Sequence, residues 1–155
     1  MTVDLTCGTP TLGGSVGNGE SGEGELIWFT LPSFPPSTNR LHDTNYMIRT
    51  GVVRLNDQAA LWRTRTLPYV TPCRWPTNWL LKLTLVYESP SWLTKAGKLR
   101  RVDVQNLEKL VIDTLFAKWD TDDSRLVEVV SRKAYGKHEQ VQVILERSLA
   151  YVGKV

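Results

Sequence analysis

The chain has 155 residues and a mass of 17.6 kDa, room for one ordinary hydrophobic core and not for two. Its 19 basic side chains exceed its 16 acidic ones by a net +3, and 41% of its residues are hydrophobic, which excludes a wholly disordered chain. No apolar run approaches the roughly 20 residues that span a bilayer, the first residues do not read as a secretory signal, and two distant cysteines, Cys7 and Cys73, build no disulfide framework and fit the reducing cytoplasm.

Residues 1–25 hold seven of the eleven glycines, four acids and no lysine or arginine. Such a segment buries too little apolar surface to offset its ordering entropy, so it reads as a flexible acidic tail. The domain proper is then 26–155, with 19 basic against 12 acidic groups, a net of +7. Residues 26–31 (LIWFTL) predict a strand closed by Pro32. Pro35 and Pro36 keep the following PPSTNR segment out of a sheet ladder. Residues 51–55 (GVVRL) predict a short strand. Asn56 or Asp57 caps a helix running to about Leu67, and Pro68, Pro72 and Pro76 break what comes next. Residues 79–88 alternate Leu81, Leu83 and Leu85 with Lys82 and Thr84, the period of a half-buried strand. Residues 89–101 form a loop ending in a basic run.

The clearest helix runs from Val104 to about Leu115, with Leu107, Leu110, Val111 and Leu115 on one stripe. Residues 126–135 and 140–146 predict two strands, joined across Gly136, Lys137 and His138. No repeat is visible. Together these elements predict a single α+β domain, with two main helices packed on a mixed or antiparallel sheet.

Chemistry concentrates after the basic run. Lys95, Lys98, Arg100 and Arg101 are followed by seven of the domain's twelve acids between Asp103 and Glu128. Carboxylates beside a phosphate-attracting patch are what a divalent-metal phosphodiesterase needs: aspartate oxygens hold Mg2+, and a nearby lysine or arginine offsets charge on the phosphate. On spacing alone a structural account is favoured, because any surface helix offers such pairs. Asp103 can cap the helix, Lys109 can pair with Asp113 one turn on, and Asp122 with Asp123 can form a turn.

Two segments carry a resemblance. One is the strand leading into Pro35-Pro36-Ser37-Thr38-Asn39-Arg40. The other is Asp103-Val-Gln105-Asn106-Leu107-Glu108-Lys109, followed by Asp113-Thr-Leu115, Asp122-Asp123 and a valine-rich strand ending Arg132-Lys133. In order and approximate spacing they resemble the RusA-type Holliday junction resolvases, whose pattern is roughly D-x-D-N-L-x-K, then Asp-x-Leu, a paired DD and a lysine at the end of the next strand. The resemblance implies a small homodimer that nicks four-way DNA junctions symmetrically with Mg2+ (Mn2+ as a substitute), in a bacterial cytoplasm and frequently phage-encoded. Carried over residue by residue, it implies catalytic roles for Asp103, Lys109 and Asp123, and metal contacts from Asp103, Asp123, Asp122 and Gln105. It implies DNA contacts from Asn39, Arg40, Asn106 and Lys133, to which the exposed run Lys95, Lys98, Arg100 and Arg101 is added from charge alone. The departure is Gln105, where the pattern has its second aspartate. A glutamine carbonyl ligates a hard cation without charge, and Glu108, about 60° round the helix, is placed to compensate. A non-catalytic protein that binds branched DNA is the alternative.

For Asp103 and Asp123 to share a metal, the chain must double back, or Asp123 must complete the site of a partner subunit. The expectation is a helix ending near residues 115–117, with 118–121 returning toward its start. Trp28, Trp62, Trp79 and Trp119 are expected in the core, and Trp75 and Trp92, in proline-rich loops, are candidates for stacking on unpaired bases. His42 and His138 lack ligand spacing and read as surface residues. The apolar segment 149–152 is a candidate for packing on the body or on a second subunit.

Overall fold

In the computed structural model, the chain is described at residues 26–37, 42, 44–52 and 54–149. The predicted tail 1–25, Asn39, Arg40, Tyr151 and Val152 lie outside the described residues. The elements in order are β1 (Leu26–Leu31), α1 (Thr44–Thr50), α2 (Asp57–Thr66), β2 (Leu81–Glu88), α3 (Gln105–Trp119), β3 (Leu126–Ala134) and β4 (Gln140–Arg147). The strands form one mixed sheet in the order β1-β4-β2-β3, with β2 and β3 parallel and the other two pairs antiparallel. This is the expected α+β domain.

The period of two in β2 does what the sequence asks of it. Leu81, Leu83, Leu85 and Tyr87 are fully buried, and they join Val141, Val143 and Leu145 of β4 on one face of the sheet. Onto that face α3 lays Leu107, Leu110, Val111, Leu115, Phe116 and Trp119, while α2 adds Ala59 and Trp62. Burying each large aliphatic side chain contributes about 1.5–3 kcal/mol. On the opposite face Lys82 pairs with Glu146 at 3.2 Å and with Glu128 at 3.8 Å across three strands.

Asn56, rather than Asp57, caps α2, its side chain accepting the Ala59 N–H at 2.8 Å. The strand predicted at 51–55 is absent from the described residues; Leu55 makes only an isolated bridge with His42. The helix α1 just before it went unpredicted, because its described side chains, Met47 to Thr50, are exposed and carry no amphipathic signal. His42 and His138 are exposed, as expected, and so is Leu149.

β3 and β4 are consecutive but not paired, because β2 lies between them. The connection therefore passes over the end of β2. There a side chain on Gly136 would place its Cβ 2.7 Å from Glu88 Cβ, so only glycine permits the approach. Gln142 and Gln140 donate to the two Glu88 carboxylate oxygens on the same edge.

Three tryptophans depart from expectation. Trp28 is 63% exposed, because it alternates with Phe29 on an edge strand and points to the uncovered face. Trp75 and Trp92 are each only 6% exposed. The Trp92 ring stacks on Phe34 with centroids 5.3 Å apart, and its indole N–H donates to the Tyr87 carbonyl at 2.7 Å. Rings so enclosed have no free face for a base; proline-rich loops here fold back as core lids, since a large indole removed from water outweighs the cost of ordering the loop.

Candidate functional site

The N-terminal half of α3, the loop before it, the turn after it and the strand β3 meet along one side of the sheet. α3 starts without a side-chain cap at Val104. Asp103 takes over that work from one residue further out: its Oδ1 accepts the Gln105 N–H at 3.0 Å, and its carbonyl accepts the Asn106 N–H at 3.2 Å. A short acid closing such a turn beside the positive end of a helix is favourable on both counts. One lone-pair set of an exposed carboxylate is used, and the rest of it faces solvent.

Two adjoining clefts run along this helix. The larger, about 510 Å³, is lined by Asp103, Val104, Gln105 and Glu108 on one wall and Val129, Val130 and Ser131 of β3 on the other. The smaller, about 250 Å³, continues down the helix and is lined by Gln105, Glu108, Lys109, Ile112, Asp113 and Asp123. Asp103 and Asp123 thus sit at opposite ends of one composite groove, and Gln105 and Glu108 border both parts.

Chain reversal is real but is not made where the sequence predicts it. α3 continues to Trp119, whose indole N–H donates to the Thr71 carbonyl at 2.8 Å and whose ring packs edge-on against Phe29 and Phe116. That anchor draws the helix past residues 115–117. Asp120 then stops it in the left-handed region at φ 50°, with the Thr121 N–H reaching the Phe116 carbonyl at 3.2 Å, the pattern of a Schellman cap. Residues 118 and 119 therefore still belong to the helix, the turn after it already brings Asp123 against the smaller cleft, and β3 then runs on past the helix start. At the far end of β3, Lys133 donates to the Arg100 carbonyl at 3.0 Å, just ahead of Asp103.

Asp122 and Asp123 have separate settings. The Asp122 carboxylate accepts the Ser124 N–H at 2.8 Å, and that bond holds its pKa below the usual value. Asp122 lies outside the lining of both clefts, whereas Asp123 lines the smaller one. Arg125 pins the turn in place through its bonds to the Trp79 carbonyl, at 3.0 Å, and to the Pro76 carbonyl. Lys109 forms an ion pair with Asp113 at 3.4 Å, with 57% and 41% of the two side chains exposed. A pair so exposed contributes only about 0–1 kcal/mol, so the ammonium can be exchanged to a phosphate at little cost.

The basic loop is an ordered projection. Leu93 bridges Leu99, Thr94 receives N–H bonds from Gly97 and Lys98, and Gly97 turns the chain at φ 73°. Lys95, Lys98, Arg100 and Arg101 are all exposed on it. Lys133 stands under the loop, its ammonium 5.0 Å from the Trp92 ring centre as well as bonded to Arg100, so its charge helps to dock the loop. The Asn106 side chain is half-buried one turn into the groove's wall. Asn39 and Arg40 lie outside the described residues.

Below the groove lie two residues that the motif reading missed. Tyr87 is fully buried, yet neither its hydroxyl nor the buried hydroxyl of Ser131 completes a hydrogen bond of good geometry. The two hydroxyls lie near one another, with Glu108 close enough for its charge to be felt; burial first, and then that charge, pushes the phenol pKa well above its ordinary value. Tyr87 therefore stays a protonated donor. The available signal was a tyrosine and a serine at core-facing positions of strands otherwise filled with leucine and valine.

The side-chain oxygens along the groove are those of carboxylates, of the Gln105 amide and of Ser131, the kind that suits a hard divalent cation. Among the described residues, however, no three His, Cys, Asp or Glu side chains stand together as a ready metal cluster. No helix among the described residues is long and apolar enough to cross a membrane. A family profile described as "Endodeoxyribonuclease RusA" matches residues 38–146, more than two thirds of the chain and every residue of both clefts. No curated protein matches the chain.

Proposed function

The chain belongs to the RusA endodeoxyribonuclease family, and from that membership we propose that it is a divalent-metal-dependent endonuclease that resolves four-way DNA junctions by paired nicks, working as a homodimer. The observation that carries the reading is the groove itself: an acidic lining from Asp103 to Asp123, entered beside the exposed Lys95, Lys98, Arg100 and Arg101. Two-fold symmetry suits the task, because it presents two such grooves to opposed strands.

Asp103 and Asp123 would hold the cation, with the Gln105 carbonyl between them and Asp122 beside the turn; Mg2+ is the ion proposed, with Mn2+ as a substitute. When bound, a divalent cation lowers the pKa of water and offsets charge at the scissile phosphate. The remaining work falls to the chain. Lys109, released from Asp113, places its ammonium against a non-bridging or leaving oxygen. The basic loop grips the DNA backbone, with Asn106 and Lys133 beside it and Asn39 and Arg40 as further contacts. Asp103 is oriented before substrate arrives, because one oxygen is already tied to the Gln105 N–H.

The test is a labelled synthetic four-way junction incubated with Mg2+ or Mn2+ and either the wild type or Asp103→Asn. Paired nicks from the wild type and none from the variant, with junction binding intact in both, are expected. Nicking that survives Asp103→Asn would overturn the site. One observation favours a second reading, a branched-DNA-binding protein without cleavage: Gln105 is uncharged, and no three acidic side chains are gathered among the described residues. Tight junction binding by the wild type with no nick in either metal would decide for it.

A further inference from the structure

The basic loop is a short two-stranded ribbon that carries an apolar pair near its tip. Leu93 and Leu99 bridge one another, flanked by bonds from the Thr94 N–H to the Lys98 carbonyl at 2.8 Å and from the Arg100 N–H to the Trp92 carbonyl at 2.7 Å. In that pattern the two leucines are a non-hydrogen-bonded pair, whose side chains stand close together on one face of the ribbon. Neither belongs to the core: Leu93 is 51% exposed and Leu99 61%. Exposed leucines scattered singly are ordinary, but this pair is held out on a braced support. Trp92 roots the first strand in the core, and Lys133 ties the second through the Arg100 carbonyl. Gly97 turns the tip at φ 73° and donates to the Thr94 carbonyl at 2.9 Å.

Charge identifies what covers the pair. Residues 89–102 hold four cations, Lys95, Lys98, Arg100 and Arg101, and no acid, so the surface around the leucines fits a polyanion. We infer that Leu93 and Leu99 form a wedge that seats on the base-pair face bared at the branch point of a DNA junction, while the four cations hold the phosphates on either side; this rests on the junction-resolving function proposed for the chain. An apolar side chain presented among cations unstacks a base step, and unstacking costs least where pairing or stacking is already broken. In a continuous duplex the wedge has to open a stacked step. At an open four-way branch it meets a base pair with one face already bare. The pair therefore reads the shape of DNA and not its sequence. It takes the part for which Trp92, now buried beside it, was the candidate. Asp103 follows Leu99 by four residues, so the element that finds the branch also sets the mouth of the groove next to it.

The experiment compares the full chain with the double variant Leu93→Ala/Leu99→Ala, without divalent cation so that no strand is cut. The probes are a synthetic four-way junction carrying 2-aminopurine at the branch point and a linear duplex of the same sequence. The wild type is expected to prefer the junction and to raise the 2-aminopurine fluorescence as it unstacks the base. The double variant should lose about tenfold or more of that preference together with the fluorescence rise. Its melting midpoint and the slope of log affinity against log salt should not move, because the leucines are exposed and uncharged. A double variant that keeps both the preference and the fluorescence rise would overturn the inference and leave the junction reading standing. Equal losses on junction and duplex, or a flattened salt slope, would overturn it as well, since the pair would then be a general contact with DNA. A double variant that turns a dimeric wild type into a monomer in sedimentation would assign the pair to an interface between copies and overturn the wedge. A wild type with no preference for the junction over the duplex would overturn the junction reading and the wedge together.

Discussion

The two ends of α3 are built on opposite terms. From Leu110 to Trp119 the helix buries Leu110, Val111, Thr114, Leu115, Phe116 and Trp119, and it closes with a backbone cap at Asp120. From Asp103 to Lys109 only Leu107 is buried, no side chain caps Val104, and the exposed or half-buried polar groups line a groove. Packing energy at one end holds the helix as a rigid rod; thin packing at the other leaves Asp103, Gln105, Glu108 and Lys109 at the walls of a cleft. Reactive groups can be placed on a helix without loosening it, provided the core contacts lie a turn or two away.

The strongest way to break this contrast is at the packed end. Trp119→Ala should cost about 3–5 kcal/mol in urea unfolding, since it deletes contacts with Phe29 and Phe116 and the bond to Thr71. A loss below about 1 kcal/mol would mean that the helix is not anchored there. At the open end, Asp103→Asn should lower the nicking rate by about a hundredfold or more. Its unfolding free energy should change by only about 0.5 kcal/mol, because an asparagine oxygen accepts the Gln105 N–H equally well. A variant that unfolds instead would make Asp103 structural.

Replacing Lys98 and Arg101 together by glutamine should flatten the slope of log junction affinity against log salt by about two units, measured by titration at several salt concentrations. An unchanged slope would take the loop out of the interface. The smallest effect belongs to the helix stop. Asp120→Gly relieves a left-handed residue at φ 50° and should raise stability by up to about 1 kcal/mol, with no change in nicking.

Much of the fold was legible in the chain. β1 spans the six residues expected, β2 and β3 begin and end within two residues of expectation, and the α2 cap is one of the two residues proposed. Periods of 2 and 3.6 reveal these elements because one face of each is buried. What stayed hidden was set by distant partners. The additional turn of α3 depends on Trp119 meeting Thr71, 48 residues earlier. The opposite fates of Trp28 and Trp92 depend on which face of the sheet is covered. No local pattern in LIWFTL or PSW reports that.

The candidate site divides the same way. The run of residue types from Asp103 to Lys109, the neutral Gln105 within it, the paired aspartates at 122 and 123, and the basic run before them are all properties of the sequence, because spacing along one helix and charge along one loop need no third dimension. Only the folded chain decided that α3 runs on to Trp119 before the chain turns, that Asp122 is tied to its own turn while Asp123 reaches the groove, and that Lys109 rests against Asp113. It alone brought Tyr87 and Ser131, from two parallel strands, close to one another and within reach of the Glu108 charge. Hydrogen bonding and packing between segments tens of residues apart are energies of juxtaposition, and they come into being only when the sheet closes.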